Sequence, residues 1–204
     1  MTMKHYLPLV LFTIALLTCI PVNAQGLRWE KGVGLSGGAG LDEASRISFG
    51  INALGGLRFN DYLSVDIGAG YAWYNALAVK TDAVGATPEA SVYQGTGRAS
   101  VFGRGKVNFT KTIVSPFVSA TLGGSSAFEK QYPKRISGFF YEPAVGCDFS
   151  LSSENRISVL IGYLRHAIQY EHNMIVGGTD GTEIISGIKK DYADILALHI
   201  EFYF

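Results

Sequence analysis

The sequence predicts an all-β fold: an eight-stranded antiparallel up-and-down β-barrel formed by one domain. Three observations predict it. After the N-terminal segment, apolar and polar residues alternate with period two, the mark of a strand with one apolar face. The alternating segments number eight, an even count. Tight turns and longer polar stretches take turns between them, so every second connection lies on the same rim.

Composition agrees. The 204 residues include 25 Gly and only 6 Pro, and Gly weakens helix interiors. Lys plus Arg number 17, as do Asp plus Glu. That balance argues against a nucleic-acid partner, which would want a basic face. No internal stretch is long and apolar enough for a transmembrane helix, so any membrane crossing must come from strands.

The first 24 residues read as a cleavable secretory signal peptide. Lys4 and His5 give a basic start, Leu7 to Ile20 a mostly apolar run, and Val22-Asn23-Ala24 small residues for cleavage after Ala24. Leu16-Leu17-Thr18-Cys19 matches a lipobox only loosely, and the Ala24 site is better formed. The barrel domain is then 25–204, with Cys147 as its one thiol and no intrachain disulfide.

The strands are expected at about Leu27–Leu41, Arg46–Asn60, Tyr62–Tyr74, Val92–Phe109, Ile113–Ala127, Gly138–Leu151, Arg156–Tyr170 and Asp191–Phe204. Asn60-Asp61, Thr110-Lys111-Thr112 and Ser152 to Asn155 supply tight turns. Asn75 to Ser91, Phe128 to Ser137 and Glu171 to Lys190 read as longer polar loops, and Asp42 to Ser45 as a short one. Pro116 and Pro143 fall inside strands, where they lack a ladder donor, and so belong at bulges or toward a rim.

The faces separate cleanly. In strand three Leu63, Val65, Ile67, Ala69, Tyr71 and Trp73 oppose Ser64, Asp66, Gly68, Gly70 and Ala72. In strand eight Leu196, Leu198, Ile200, Phe202 and Phe204 oppose Ala197, His199, Glu201 and Tyr203. A soluble lipocalin-like barrel would turn the apolar face inward. Two features favour the inverse. The polar face is rich in Gly, Ser and ion-pairable charges, which suits a narrow lumen. The apolar face carries two aromatic belts around an aliphatic band: Trp29, Phe59, Phe109, Phe149, Phe202 and Phe204 near the tight-turn rim, and Phe49, Tyr71, Trp73, Phe139, Tyr141 and Tyr163 toward the loops. Two such belts match the two interfaces of a bilayer and make the barrel a transmembrane one. A closed sheet also satisfies every backbone donor and acceptor in lipid.

With its signal peptide, eight alternating strands and a last strand ending Ile200-Glu201-Phe202-Tyr203-Phe204, the chain resembles the small outer-membrane barrels. These include the membrane domain of outer membrane protein A and the porin-like barrels common in Bacteroidetes. The resemblance implies the outer membrane of a Gram-negative cell as location and outer-membrane lipid as surroundings. It also implies that Ile200, Phe202 and Phe204 form the signal read by the barrel assembly machinery. It fixes no single activity.

The lumen face collects Glu30, Arg58, Asp66, Arg98, Arg104, Lys106, Glu142, Asp148, Arg156, His199 and Glu201. Eight strands enclose an interior that side chains can fill, and paired charges are tolerable there. The expectation is a polar network with a structural role, with loops free for surface contacts to an unknown ligand. A narrow passive channel through rearranged pairs is the alternative. A lipid A-modifying enzyme is a third, and it requires a Ser soon after a His. Ala167 and Ile168 follow His166, so that pattern fails, and His172 with Glu171 reads as a solvated rim. No enzyme activity, cofactor or metal is expected: the histidines lack ligand spacing, and no helix follows Gly37-Gly38-Ala39-Gly40 to make a nucleotide loop. Cys147 reads as a small apolar side chain.

Overall fold

The computed structural model describes residues 27–41, 47–80, 90–127, 137–178 and 181–204, with side chains at 27–41, 47–74, 97–126, 138–167 and 192–204. The signal peptide expected over 1–24, Cys19 and the connection at 42–45 lie outside the described residues. Eight strands follow one another: β1 (Arg28–Gly40), β2 (Ile47–Arg58), β3 (Leu63–Lys80), β4 (Ala90–Asn108), β5 (Val114–Ala127), β6 (Ser137–Ser150), β7 (Arg156–Gly178) and β8 (Gly181–Tyr203). Each pairs antiparallel with the next, and β8 returns to β1 to close the barrel.

The register fixes the shape. Partners run from Arg28 to Arg58, Ser64, Lys106, Ser119, Ala144, Gly162 and Ala197, and arrive back on β1 at Gly38. One circuit therefore advances ten residues along β1. For eight strands this stagger sets a tilt of about 40–45° to the axis. At that tilt the interior is only wide enough for side chains to fill.

The tight turns form where side chains can take over backbone bonding. Asn60 Oδ1 accepts from the Tyr62 and Leu63 amides, each at 2.8 Å. Ser152 Oγ accepts from Glu154 and Asn155 at 3.3 and 3.0 Å. Both are the side-chain-to-backbone turns that Asn and Ser favour. Pro116 lies at the tight-turn rim, where its carbonyl accepts from the Phe109 amide at 2.9 Å. Around Pro143 the β6–β7 ladder is interrupted: Tyr141 pairs with Arg165 and Ala144 with Gly162, with no pairing between. The missing donor of Pro143 thus falls in a gap rather than in a continuous ladder.

Two expected loops are strands instead. β3 and β4 stay paired out to Lys80 and Ala90, and β7 and β8 out to Gly178 and Gly181. Of Asn75–Ser91, residues 75–80 and 90–91 therefore belong to strands, as do 171–178 and 181–190 of Glu171–Lys190; residues 81–89 and 179–180 lie outside the described residues. Past the aliphatic band neither face need be apolar, so alternation fades while backbone pairing continues. β-branched Ile175, Val176, Ile184 and Ile185 favour the extended chain there. Phe128–Ser137 keeps its place between β5 and β6, outside the described residues but for its last position.

Polarity is inverted relative to a water-soluble barrel. Ile67 and Val101 point outward, 66% and 67% exposed, while Asp66 points inward at 0%. The outward aromatics include Trp29, Phe109 and Phe204 at one end and Phe49, Trp73 and Phe139 at the other. Cys147 is half-buried on this outer face, between Val145 and Phe149.

Candidate functional site in the barrel lumen

Inward-pointing positions of six strands, β1, β3, β4, β6, β7 and β8, bring the lumen charges together, while Arg58 of β2 stays half-buried at the tight-turn rim. There Glu30 Oε1 accepts from Arg156 Nη1 at 2.6 Å and faces Arg58 Nη1 at 3.6 Å. Arg58 also donates to the Asn60 and Asp61 carbonyls and so closes the β2–β3 turn.

One layer deeper, Asp148 is the shared acceptor. Lys106 Nζ reaches its two oxygens at 2.9 and 3.1 Å. Asn108 Nδ2 donates at 2.9 Å and Ser158 Oγ adds a further bond. The next layer holds Arg104 and Glu201, joined through Nη1 at 2.6 and 2.7 Å, with Arg104 Nε donating to Thr121 Oγ1 at 3.1 Å. Tyr203 ties the layers. Its hydroxyl donates toward Glu201 at 3.0 Å and Asp66 at 3.3 Å. Its ring lies 4.1 Å from the Arg156 guanidinium and 5.2 Å from Lys106 Nζ. Phe117 supplies a second ring to Lys106 at 4.7 Å. Cations held against aromatic faces and carboxylates at once are doubly compensated for lost water.

Glycine makes room for the carboxylates. A Cβ at Gly56 would meet Asp66 Oδ1 and, at 2.6 Å, the Val65 carbonyl. A Cβ at Gly162 would collide with the Glu142 side chain. The polar face therefore carries small residues because its charges need the space above them.

Toward the loops the chemistry changes. Glu142 bonds His199 Nε2 at 2.6 Å. Beyond them Arg98 Nη1 lies 3.0 Å from His166 Nδ1, and His166 Nε2 lies 2.6 Å from Ser125 Oγ. A guanidinium has no acceptor, so Nδ1 of His166 must accept and the ring proton sits on Nε2. Nε2 then donates to Ser125. An imidazole oriented this way cannot take the serine proton, so the pair is not an activated nucleophile.

The structure places Asp66, Arg98, Arg104, Lys106, Glu142, Asp148 and Glu201 in the buried lumen. It joins Arg104 to Glu201 and Lys106 to Asp148, and sets Arg98 apart from every described carboxylate. Sequence reasoning missed Ser125 and Phe117 as lumen residues and read His166 only for enzyme chemistry. Parity would have found His166: it shares the even phase of Arg156 and Ser158. Among the described residues no group of three or more His, Cys, Asp or Glu is arranged to hold a metal ion.

The sequence matches no protein-family model and no curated protein sequence. Solved structures do match. The outer membrane protein OprG from Pseudomonas aeruginosa superposes with a TM-score of 0.53 at 12% identity, over 87% of this chain and 94% of that one. Neisserial surface protein A gives 0.50 at 12% identity, over 87% and 98%. At such identity the likeness is one of architecture: the chain is a closed eight-stranded antiparallel β-barrel of the kind found in these outer-membrane proteins.

Proposed function

We propose that the chain is an integral outer-membrane barrel of a Gram-negative cell, exported through a cleavable signal peptide over 1–24. Its lumen is closed by side chains, and its role is structural or one of surface contact through the loops. The observation that carries this proposal is the pairing of inverted polarity with a sealed interior. Aliphatic side chains cover the outside, and the layers from Glu30–Arg156 to Arg104–Glu201 span the inside. Lipid is the surrounding that makes the first favourable, and side chains that fill these layers interrupt any water column through the lumen. The Ile200, Phe202 and Phe204 face of the last strand serves the barrel assembly machinery. Phe202 and Phe204 stack there at 6.0 Å between centroids. Membership of the porin-like barrels of Bacteroidetes type belongs to the same proposal.

Planar-bilayer recordings of purified protein test the closed lumen. Silent membranes are expected; reproducible single-channel steps would contradict it. A narrow passive channel is the second reading. It is favoured by the slack in the network: Asp66 Oδ1 and Arg156 Nη2 are buried without hydrogen-bond partners, so alternative pairings are within reach. Lipid A modification is set aside, since Ser125 and His166 face the lumen rather than lipid. Lipid A mass spectra from expressing cells should keep an unchanged acyl pattern.

A further inference from the structure

We propose that Arg165, with the tyrosines around it, is a docking site for the phosphate of a membrane-lipid headgroup at the loop-side edge of the outer face. This rests on the reading that lipid covers that face. Among the residues with described side chains, the outward-facing charges of the strands are Lys31 at the tight-turn end, and Arg165 and Asp194 side by side on β7 and β8. The next residue, His166, points inward and is buried, whereas the Arg165 side chain is 40% exposed. None of its nitrogens is among the buried polar atoms left without a partner. The guanidinium is thus a surface group that a ligand can reach.

Its depth is that of the loop-side aromatic belt. In the register Arg165 stands opposite Tyr141 on β6 and Asp194 on β8, just past Tyr163. The Tyr192 ring lies 4.7 Å from the guanidinium. Arg165 donates to the Tyr141 hydroxyl, and the Tyr163 hydroxyl donates to Asp194. Tyrosines gathered at one depth of a membrane barrel mark the headgroup boundary.

Asp194 compensates the cation only in part. It comes no nearer than 3.6 Å to Arg165, whereas Glu201 comes within 2.6 Å of Arg104. A guanidinium carries more N–H donors than Asp194 and Tyr141 take up. The surplus suits phosphate oxygens, which arginine grips through parallel charged bonds. Tyr141 accepts from Arg165, so its own hydroxyl hydrogen is left to donate to the same anion.

The surface below fits the rest of a lipid. On the same three strands Val145, Ile161 and Leu198 stand opposite one another, all exposed. That row lies four residues from Arg165, about 13 Å along the strand. One lipid thus meets matching surfaces at both ends, phosphate on Arg165 and acyl chain on the aliphatic row. A free phosphate would meet only the first.

The test is a titration of the full mature chain in maltoside micelles with dihexanoyl phosphatidic acid, read by calorimetry and by the 15N-labelled Arg165 Nε–H resonance. Saturable one-to-one binding with a moving Arg165 signal is expected. Arg165→Gln should weaken it at least about tenfold and Tyr141→Phe about threefold to tenfold, as loss of a charged and of a neutral hydrogen bond would. Lys31→Gln should leave it unchanged; an equal loss there would mean attraction by charge alone and overturn the site. Equal affinity in Arg165→Gln would also overturn it. Should that variant not fold, Tyr141→Phe decides, and unchanged affinity there overturns the site. Dihexanoylglycerol, which lacks the phosphate, binding as tightly would overturn the phosphate assignment, and inorganic phosphate binding as tightly would overturn the lipid one. Quenching of Trp73 by brominated lipid tests the membrane reading separately. A quenched barrel that does not bind phosphatidic acid loses this site alone, and an unquenched one loses the reading beneath it.

Discussion

Arg104 on β4 and Glu201 on β8 face each other across the full width of the barrel, and one guanidinium nitrogen contacts both carboxylate oxygens at 2.6 and 2.7 Å. The two strands are four apart in a ring of eight. The pair therefore braces walls that share no backbone bond. Its side chains are 2% and 1% exposed, so removing one partner strands the other without water. Arg104→Gln or Glu201→Gln alone should cost about 3–5 kcal/mol, whereas Arg104→Met with Glu201→Leu should recover most of it. Urea unfolding in lipid vesicles, followed by tryptophan fluorescence, checks this. Additive losses in the double variant would mean that the pair does not act as a unit.

The glycines opposite buried carboxylates make a second comparison. Gly56→Ala and Gly162→Ala should each destabilise the barrel by about 1–3 kcal/mol through overpacking. The remedies differ. At Gly162 the three nearest atoms all belong to the Glu142 side chain, whereas at Gly56 the Val65 carbonyl is among them. A double-mutant cycle of Gly162→Ala with Glu142→Ala should show coupling of about 1 kcal/mol or more. The cycle of Gly56→Ala with Asp66→Ala should show less, because the carbonyl remains.

Depth along the outer face sets the third prediction. Val101 lies mid-strand, between Phe109 at the tight-turn rim and the loop-side aromatics, while Val107 pairs with Leu63 close to that rim. Val101→Arg should cost about 2–4 kcal/mol and Val107→Arg about 1 kcal/mol or less, the gradient expected across a hydrocarbon layer. Equal small costs in the same unfolding assay would mean that no such layer covers this face.

The terminal strand gives the fourth. Phe202→Ala with Phe204→Ala should lower the amount of folded barrel recovered from cell membranes severalfold. It should leave refolding of the purified chain into detergent largely intact. Loss in both settings alike would assign these rings to stability rather than to assembly.

Much of this was legible in the sequence because side-chain parity in a strand is strict. Once Ile67 faces outward, Asp66 must face inward, and the same step placed Arg104, Lys106, Asp148 and Glu201 in one lumen. Parity carries no information about reach. That Arg104 spans to Glu201, while Arg98 meets His166 and the Tyr74 ring, depends on the ten-residue stagger, and closure alone fixes that. Parity assigns Tyr203 to the inner face, but its contact with two cations and two carboxylates depends on how the closed barrel brings distant strands together. The hairpins beyond Tyr74 and Tyr170 were unreadable for another reason. Their pairing is backbone chemistry, and pattern reading sees strands only where one face must be apolar.

The central claim is that lipid chains touch the outer face, with aromatic belts at both interfaces. The chain has two tryptophans, Trp29 and Trp73, one in each belt and both on that face. Quenching by lipids brominated at defined depths, on Trp29→Phe and Trp73→Phe variants in vesicles, addresses each belt separately. Each remaining tryptophan should be quenched most by bromines near the headgroup boundary, and a new tryptophan at Val101 should be quenched most by bromines near the bilayer centre. Indifference to brominated lipid at all three positions, with full quenching by aqueous iodide, would contradict the claim.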